Sequence, residues 1–159
     1  MNPRHAIACL VLIVGIGPAH AQPSPTKPDA AANPAGATIS VWSGVYTAAQ
    51  SKRGEQVHVS GCASCHGPQL DGAGLPDMPS SPGISGSMLL FKWKGKTVAE
   101  LFDYVRKTMP ADNPGILSAQ DSIDSIAHMF AVSEMPPGDK ELPPDAGVLT
   151  GIVITDKPK

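Results

Sequence analysis

Two cysteines and the histidine that follows them form the motif whose chemistry is clearest. Residues 62–66 read Cys-Ala-Ser-Cys-His, the C-x-x-C-H arrangement that is typical of covalent c-type haem attachment. The spacing of Cys62 and Cys65 suits thioether bonds to both haem vinyl groups, and His66 presents an imidazole to the iron from the same turn. The motif therefore predicts one covalently bound haem c, with His66 as an axial ligand of the iron.

Two other sites also use a C-x-x-C pair. A zinc site needs further ligands, but after residue 21 the chain offers only His58 and His128 besides His66, and no cysteine beyond this pair. A thiol-disulfide oxidoreductase places the pair after a strand in a βαβ unit. Here the pair ends a predicted helix and precedes a Gly-rich loop, so both alternatives are disfavoured.

The opposite axial position requires a second ligand from elsewhere in the chain. Met129 and Met135 lie within or just beyond a predicted helix, where core packing is the simpler interpretation. Met109 follows another predicted helix and precedes Pro110, which holds the chain out of helical geometry. This position makes Met109 the predicted ligand, and the resulting His/Met pair leaves no open iron position and favours electron transfer. The remaining candidates are Met78, Met88, His58 and His128.

The beginning of the chain resembles a secretory signal. Arg4 supplies a positive start, residues 6–17 are apolar, and residues 19–21 are small apart from His20. About a dozen apolar residues are too few to span a bilayer of roughly 30 Å. We expect cleavage after Ala21, with loss of Cys9, a periplasmic location and no stable membrane insertion of the mature chain. Free thiols tend to be oxidised in that compartment unless they are committed to other chemistry, as haem attachment commits them.

Composition predicts one small domain with flanking segments. The chain has 159 residues, 17 of them Pro and 16 Gly, and only 4% aromatic residues, so a bound cofactor has to fill part of the core. Residues 22–38 are rich in Pro and Ala and predict a flexible linker. The net charge of −2 gives no reason to expect nucleic acid as a partner, so we expect another protein.

Apolar spacing predicts three main helices and no convincing strand. The first runs over residues 47–60, the second follows a Thr97/Glu100 capping box, and the third begins after Ser118. Residues 67–92 are rich in Gly, Pro and Ser and predict a long loop with little regular structure. The domain is expected to cover residues 39–135, and residues 136–159 form a Pro-rich extension that packs on the domain or on a partner.

This order of elements resembles the class I cytochrome c family over about residues 43–135. The resemblance implies an all-α, cytochrome c-like fold of about three main helices around one covalent haem, with long Gly/Pro-rich loops. Further features are similar to the small monohaem cytochromes that serve periplasmic dehydrogenases. They are Gln50, Arg53-Gly54, Trp93, Met109-Pro110, Pro114-Gly115, Leu117-Ser118, Pro137-Gly138 and Glu141-Leu142-Pro143.

The resemblance also implies roles for a loop proline and a tryptophan. In the family, a loop proline carbonyl accepts the N–H of the proximal histidine. Pro82 is our candidate, although Pro76 and Pro79 are also available. Trp93 either packs on the haem edge or donates its indole N–H to a propionate, and the alternative is simple core packing.

A glycine inside the first predicted helix is a further feature of the family. Gly54 costs about 1 kcal/mol of helix stability relative to Ala. That cost is offset if another helix crosses closely at this position, and the alternative is a simple kink. The resemblance implies that Gly54 meets the third helix near Ala127 and Phe130.

These features predict a monohaem electron carrier, not an enzyme, that passes single electrons from a periplasmic dehydrogenase to an oxidase or another cytochrome. In one alternative, the protein is a tightly bound cytochrome subunit of the dehydrogenase, and its C-terminal extension binds that enzyme. Another is a haem sensor or peroxidase, which needs an axial ligand that leaves the iron. Lys92, Lys94 and Lys96 form either a docking patch for an acidic partner or an ordinary solvated turn.

Overall fold

The computed structural model describes residues 38–73 and 81–159, and these ranges are mainly helical. The predicted signal segment and all but the last residue of the predicted linker lie outside the described residues. The helices are α1 (Ala48–Gly61), α2 (Ala63–His66), α3 (Gly86–Trp93), α4 (Val98–Thr108), α5 (Ala119–Val132) and α6 (Ala146–Leu149), with a 3-10 turn at Val41–Ser43. Two short strands, β1 (Ile39–Ser40) and β2 (Ile152–Val153), pair in parallel.

The three predicted helices correspond to α1, α4 and α5, and each begins at a side-chain cap. The hydroxyl groups of Thr47 and Ser118 each accept a backbone N–H of the first turn that follows. Thr97 and Glu100 form the full capping box expected before α4. Such caps satisfy N–H groups that have no partner within the helix. Local sequence therefore determines where these three helices start.

The core forms around α5, which packs against both α1 and α4, while α6 and β2 pack against α4. Most of α5 is buried for this reason. Its largest core side chain, Phe130, meets Tyr46 with ring centroids 6.4 Å apart. None of the described helices is long and apolar enough to cross a membrane. The remaining large buried apolar side chains of α4 and α5 are Val98, Leu101, Phe102, Val105, Ile123, Ile126 and Met129.

The crossing of α1 and α5 is very close at Gly54. A Cβ atom added there would lie 1.8 Å from the backbone oxygen of Asp124 and 3.0 Å from Cβ of His128. The close approach to the third predicted helix is therefore real. The nearest residues are Asp124 and His128, which are four residues apart and share one face of α5, while the buried Ala127 and Phe130 lie on the same helix.

The prediction of a continuous loop over residues 67–92 is wrong from residue 86 onward, because α3 begins there. Leu89 and Trp93 are four residues apart and both are buried, so tertiary packing holds this helix. Its local signal is weak, since it begins with Gly86 and Ser87 and the N-cap Ser85 makes no side-chain cap hydrogen bond. The expectation of no strand also missed the short pair β1 and β2.

The first part of the C-terminal extension packs on the region around α1. The N–H of Gly138 donates to the carbonyl of Tyr46 at 2.6 Å. Gln50 pairs with the backbone of Leu142 in both directions, each hydrogen bond being 2.9 Å long. Leu142 itself is buried. A completely buried glutamine thus attaches the extension to α1 without leaving an unpaired polar group.

The last part of the extension joins the start of the domain to the turn between α3 and α4. Ile154 exchanges two backbone hydrogen bonds with this turn, donating to Lys96 and accepting from Gly95. The indole N–H of Trp42 donates to the carbonyl of Thr155 at 2.8 Å. The extension therefore connects segments that are far apart in the sequence, which explains its otherwise isolated apolar residues.

Candidate cofactor site

The two cysteines lie where α1 ends and the short helix α2 begins. The backbone N–H of Cys62 donates to the carbonyl of His58 at 2.9 Å, and Cys62 then leaves helical geometry. Both thiols are free and half-buried. Burial, and then the nearby Cys65, raise the pKa of the Cys62 thiol. A buried thiol of raised pKa is a poor redox nucleophile.

The imidazole of His66 is oriented by a loop proline. Its Nδ1 atom lies 2.9 Å from the carbonyl oxygen of Pro82. A carbonyl only accepts hydrogen bonds, so Nδ1 carries the hydrogen and Nε2 keeps a lone pair for a metal. Of the three prolines that the sequence left open, Pro82 occupies this position, while Pro76 and Pro79 lie outside the described residues.

A tight contact between two loop segments brings Pro82 to this place. Gly72 has a φ of +83°, and a Cβ atom there would lie 2.6 Å from the carbonyl oxygen of Ser81. The N–H of Ile84 donates to the carbonyl of Leu70, a buried residue, at 2.8 Å. The segment after the motif and the segment around Pro82 therefore form one folded unit beside His66.

Met109 lies at the C-terminal end of α4. Its N–H donates to the carbonyl of Val105 at 3.0 Å, its backbone is extended, and its side chain is half-buried against the hydrophobic core. Met129 and Met135 are core residues, with 5% and 2% of their surface exposed. Met88 lies on α3 and is 47% exposed, and Met78 is outside the described residues. The structure thus agrees with the interpretation that Met129 and Met135 pack the core.

Trp93 ends α3 and packs against α4. Its ring meets that of Tyr104 edge to face, with centroids 5.3 Å apart. The ammonium groups of Lys92 and Lys96 lie 5.4 Å and 4.9 Å from the Trp93 ring centroid. These contacts agree with core packing, and a contact of Trp93 with haem stays a prediction. Lys94 of the predicted docking patch is paired with Asp156 at 2.7 Å.

Comparison with known protein families identifies the family to which this chain belongs. The family model described as cytochrome C oxidase, cbb3-type, subunit III matches residues 49–129, just over half of the chain. The chain belongs to this family. Its domain is therefore a class I c-type cytochrome with the all-α cytochrome c-like fold, as predicted, and it transfers electrons through covalently bound haem c.

The match includes the C-x-x-C-H motif and Met109 but ends before the C-terminal extension. A solved structure described as the sulfane dehydrogenase SoxCD from Paracoccus pantotrophus is also similar, with a TM-score of 0.48 and 22% sequence identity. That similarity covers 74% of this chain and 60% of that chain. No curated protein sequence matches the chain.

The residues present fit a haem c. Two free thiols lie on one turn, and the adjacent imidazole has its Nδ1 engaged and its Nε2 available. Within residues 38–73 and 81–159 there is no cluster of three or more His, Cys, Asp or Glu side chains that could hold a metal ion, which argues against the zinc alternative. Bound haem supplies an iron that cycles between two oxidation states, and the protein orients and shields it.

Sequence reasoning missed the roles of the two remaining histidines, which it treated only as spare ligands. His58 of α1 is 2% exposed, and its Nε2 lies 2.9 Å from the carbonyl oxygen of Gly67. Its ring packs against that of His128 on α5, with centroids 5.5 Å apart. Burial lowers the pKa of both histidines. The only local signal is the position of His58 four residues before Cys62, on the same helical face.

Proposed function

We propose that this cytochrome is a periplasmic monohaem electron carrier, with His66 and Met109 as axial ligands, that passes single electrons from a dehydrogenase to a downstream acceptor. The observation that carries the proposal is the hydrogen bond between Nδ1 of His66 and the carbonyl of Pro82, directly beside two free thiols. This bond makes Nε2 the metal-binding atom. It also gives the imidazole the second partner that tunes metal-bound histidines.

Met109 supports a closed electron-transfer site. Met109 follows the end of a helix and has a half-buried side chain, and no other described methionine has both features. A neutral thioether favours ferrous over ferric iron and raises the reduction potential. A site with both axial positions filled needs no catalytic residue. This argues against a sensor or peroxidase, which would require one ligand to leave.

The free carrier is favoured over a tightly bound dehydrogenase subunit. The extension that would hold such a partner makes contacts with its own domain, through Gln50, the carbonyl of Tyr46 and the turn before α4. An acidic partner surface is compatible with Lys92 and Lys96, which lie beside Trp93. Phe91, next to Lys92, is 89% exposed and adds an apolar contact point.

The axial ligand is tested on the haem-loaded protein. The oxidised protein should show the weak red absorption band of ferric iron bound to a thioether sulfur, and Met109→Ala should abolish it. Met88→Ala is the matched control, because Met88 is 47% exposed on a neighbouring helix, and this variant should keep the band. Persistence of the band in Met109→Ala would assign the ligand to another methionine. Ready binding of carbon monoxide by the reduced wild type would contradict a closed site.

Location and assembly need separate measurements. Mass determination of the exported protein should give a chain that begins at Gln22 and carries one haem. Size-exclusion chromatography of the native protein should give a monomer. A stable large complex with dehydrogenase activity would overturn the free-carrier proposal in favour of the subunit alternative.

A further inference from the structure

The turn that follows the haem-binding motif has a side-chain partner on α1. We infer that His58 is a positioning residue for the proximal ligand: its Nε2–H donates to the carbonyl of Gly67 and thereby fixes the turn that carries His66. The inference rests on the proposed haem site and goes beyond it, because it assigns a role to a residue outside the C-x-x-C-H motif and the proposed ligand pair.

The geometry determines the direction of the hydrogen bond. Nε2 of His58 lies 2.9 Å from the Gly67 carbonyl oxygen, and a carbonyl can only accept. His58 therefore carries its hydrogen on Nε2. Because the ring is almost completely buried, this is a hydrogen bond shielded from competing water.

The accepting carbonyl belongs to a backbone with little freedom. Gly67 directly follows His66 and has a φ of +78°, and a Cβ atom there would lie 2.5 Å from Oδ1 of Asp71. The same carbonyl accepts the N–H of Leu70 at 3.2 Å, while the His66 carbonyl accepts the N–H of Gly72 at 2.8 Å. The backbone hydrogen bonds close the turn upon itself, and His58 attaches it to α1.

The other side of the His58 ring is held by α5. His128 packs against it with an interplanar angle of 41°. One turn earlier on α1, Gly54 is in backbone contact with the same helix. The ring therefore lies between the crossing of α1 and α5 at Gly54 and the turn that presents the proximal ligand. A side chain in this position transmits the geometry of the helix pair to the imidazole of His66.

Two substitutions separate the hydrogen bond from simple space filling. His58→Phe keeps a ring and removes the donor, and His58→Gln places an amide N–H near the position of Nε2. Gln50→Ala is the control, because Gln50 is equally buried on α1 but pairs with the extension. The readouts on the haem-loaded proteins are the reduction potential and the paramagnetically shifted NMR resonances of the haem methyl groups, which report the orientation of axial ligands.

We expect His58→Phe to shift both readouts, His58→Gln to return them toward the wild-type values, and Gln50→Ala to lower stability without moving either. If His58→Phe loses stability but keeps the wild-type potential and methyl shifts, His58 only packs and the inference is wrong. If that variant does not fold, the tautomer of wild-type His58 decides: nitrogen NMR should find the hydrogen on Nε2, and a hydrogen on Nδ1 would overturn the inference. Absence of a c-type spectrum in the wild type would instead refute the proposed function.

Discussion

Replacement of Gly54 by alanine should separate the two longest helices. The new Cβ would lie 1.8 Å from the Asp124 carbonyl oxygen and 2.5 Å from its carbon. Heavy atoms in contact prefer about 3.5 Å, so α1 and α5 must move apart by roughly 1.7 Å. Backbone atoms cannot rotate away as a side chain would. Overpacking typically costs about 1–3 kcal/mol, and we expect the upper end of that range here.

The gain in helix propensity offsets part of this cost. Ala is better than Gly in a helix interior by about 1 kcal/mol, so Gly54→Ala should lose about 2 kcal/mol of unfolding free energy overall. Gly61→Ala is a matched control, because Gly61 lies on the same helix and a Cβ atom there would meet nothing within 4 Å. It should be neutral or slightly stabilising.

Urea unfolding of the haem-loaded proteins, followed by haem absorbance and far-ultraviolet circular dichroism, measures both variants. If Gly54→Ala were as stable as Gly61→Ala, with unchanged spectra, the close crossing of α1 and α5 would be refuted. A loss confined to haem absorbance would place the effect at the cofactor and not at the helix pair.

Three further predictions concern the same helices. Arg53→Met should lower the unfolding free energy by about 1–3 kcal/mol, because Asp124 is buried and accepts two hydrogen bonds from Arg53, at 2.8 Å and 3.1 Å. Stability should fall as the pH drops below about 6.5, since burial lowers the pKa of His58 and His128 and the unfolded chain then binds protons that the folded chain does not. Gln50→Ala should release the C-terminal extension, raising its amide hydrogen exchange and its cleavage by proteases.

Each of these predictions has its own control. Lys52→Met removes an exposed ion pair with Glu55 and should leave the unfolding free energy nearly unchanged, so an equally small effect of Arg53→Met would show that the burial of Asp124 is irrelevant. His128→Gln should reduce the pH dependence of the unfolding free energy below neutrality. If that dependence were unchanged, other titrating groups would be its source. Uniform hydrogen exchange across the chain in Gln50→Ala would indicate global destabilisation instead of local release.

Features that depend on neighbouring residues could be predicted from the sequence alone. The haem-binding motif is one of them, because two thioether bonds and the proximal ligand come from five consecutive residues. The starts of α4 and α5 are others, because Thr97 and Ser118 cap their helices within one turn. The class of protein followed from these local patterns, and the family match agrees with it.

Contacts between distant segments were decided only by the tertiary structure. Helix α3 was missed because packing of Leu89 and Trp93 holds it, and only the crossing of α1 and α5 shows that Asp124 and His128 are the nearest neighbours of Gly54. Sequence spacing left three prolines open, and the contact of Gly72 with Ser81 places Pro82 beside the ligand. The motif alone determined that haem is bound covalently. Folding decided which groups orient the proximal histidine, because a hydrogen bond between distant residues forms only when the fold brings their two segments together.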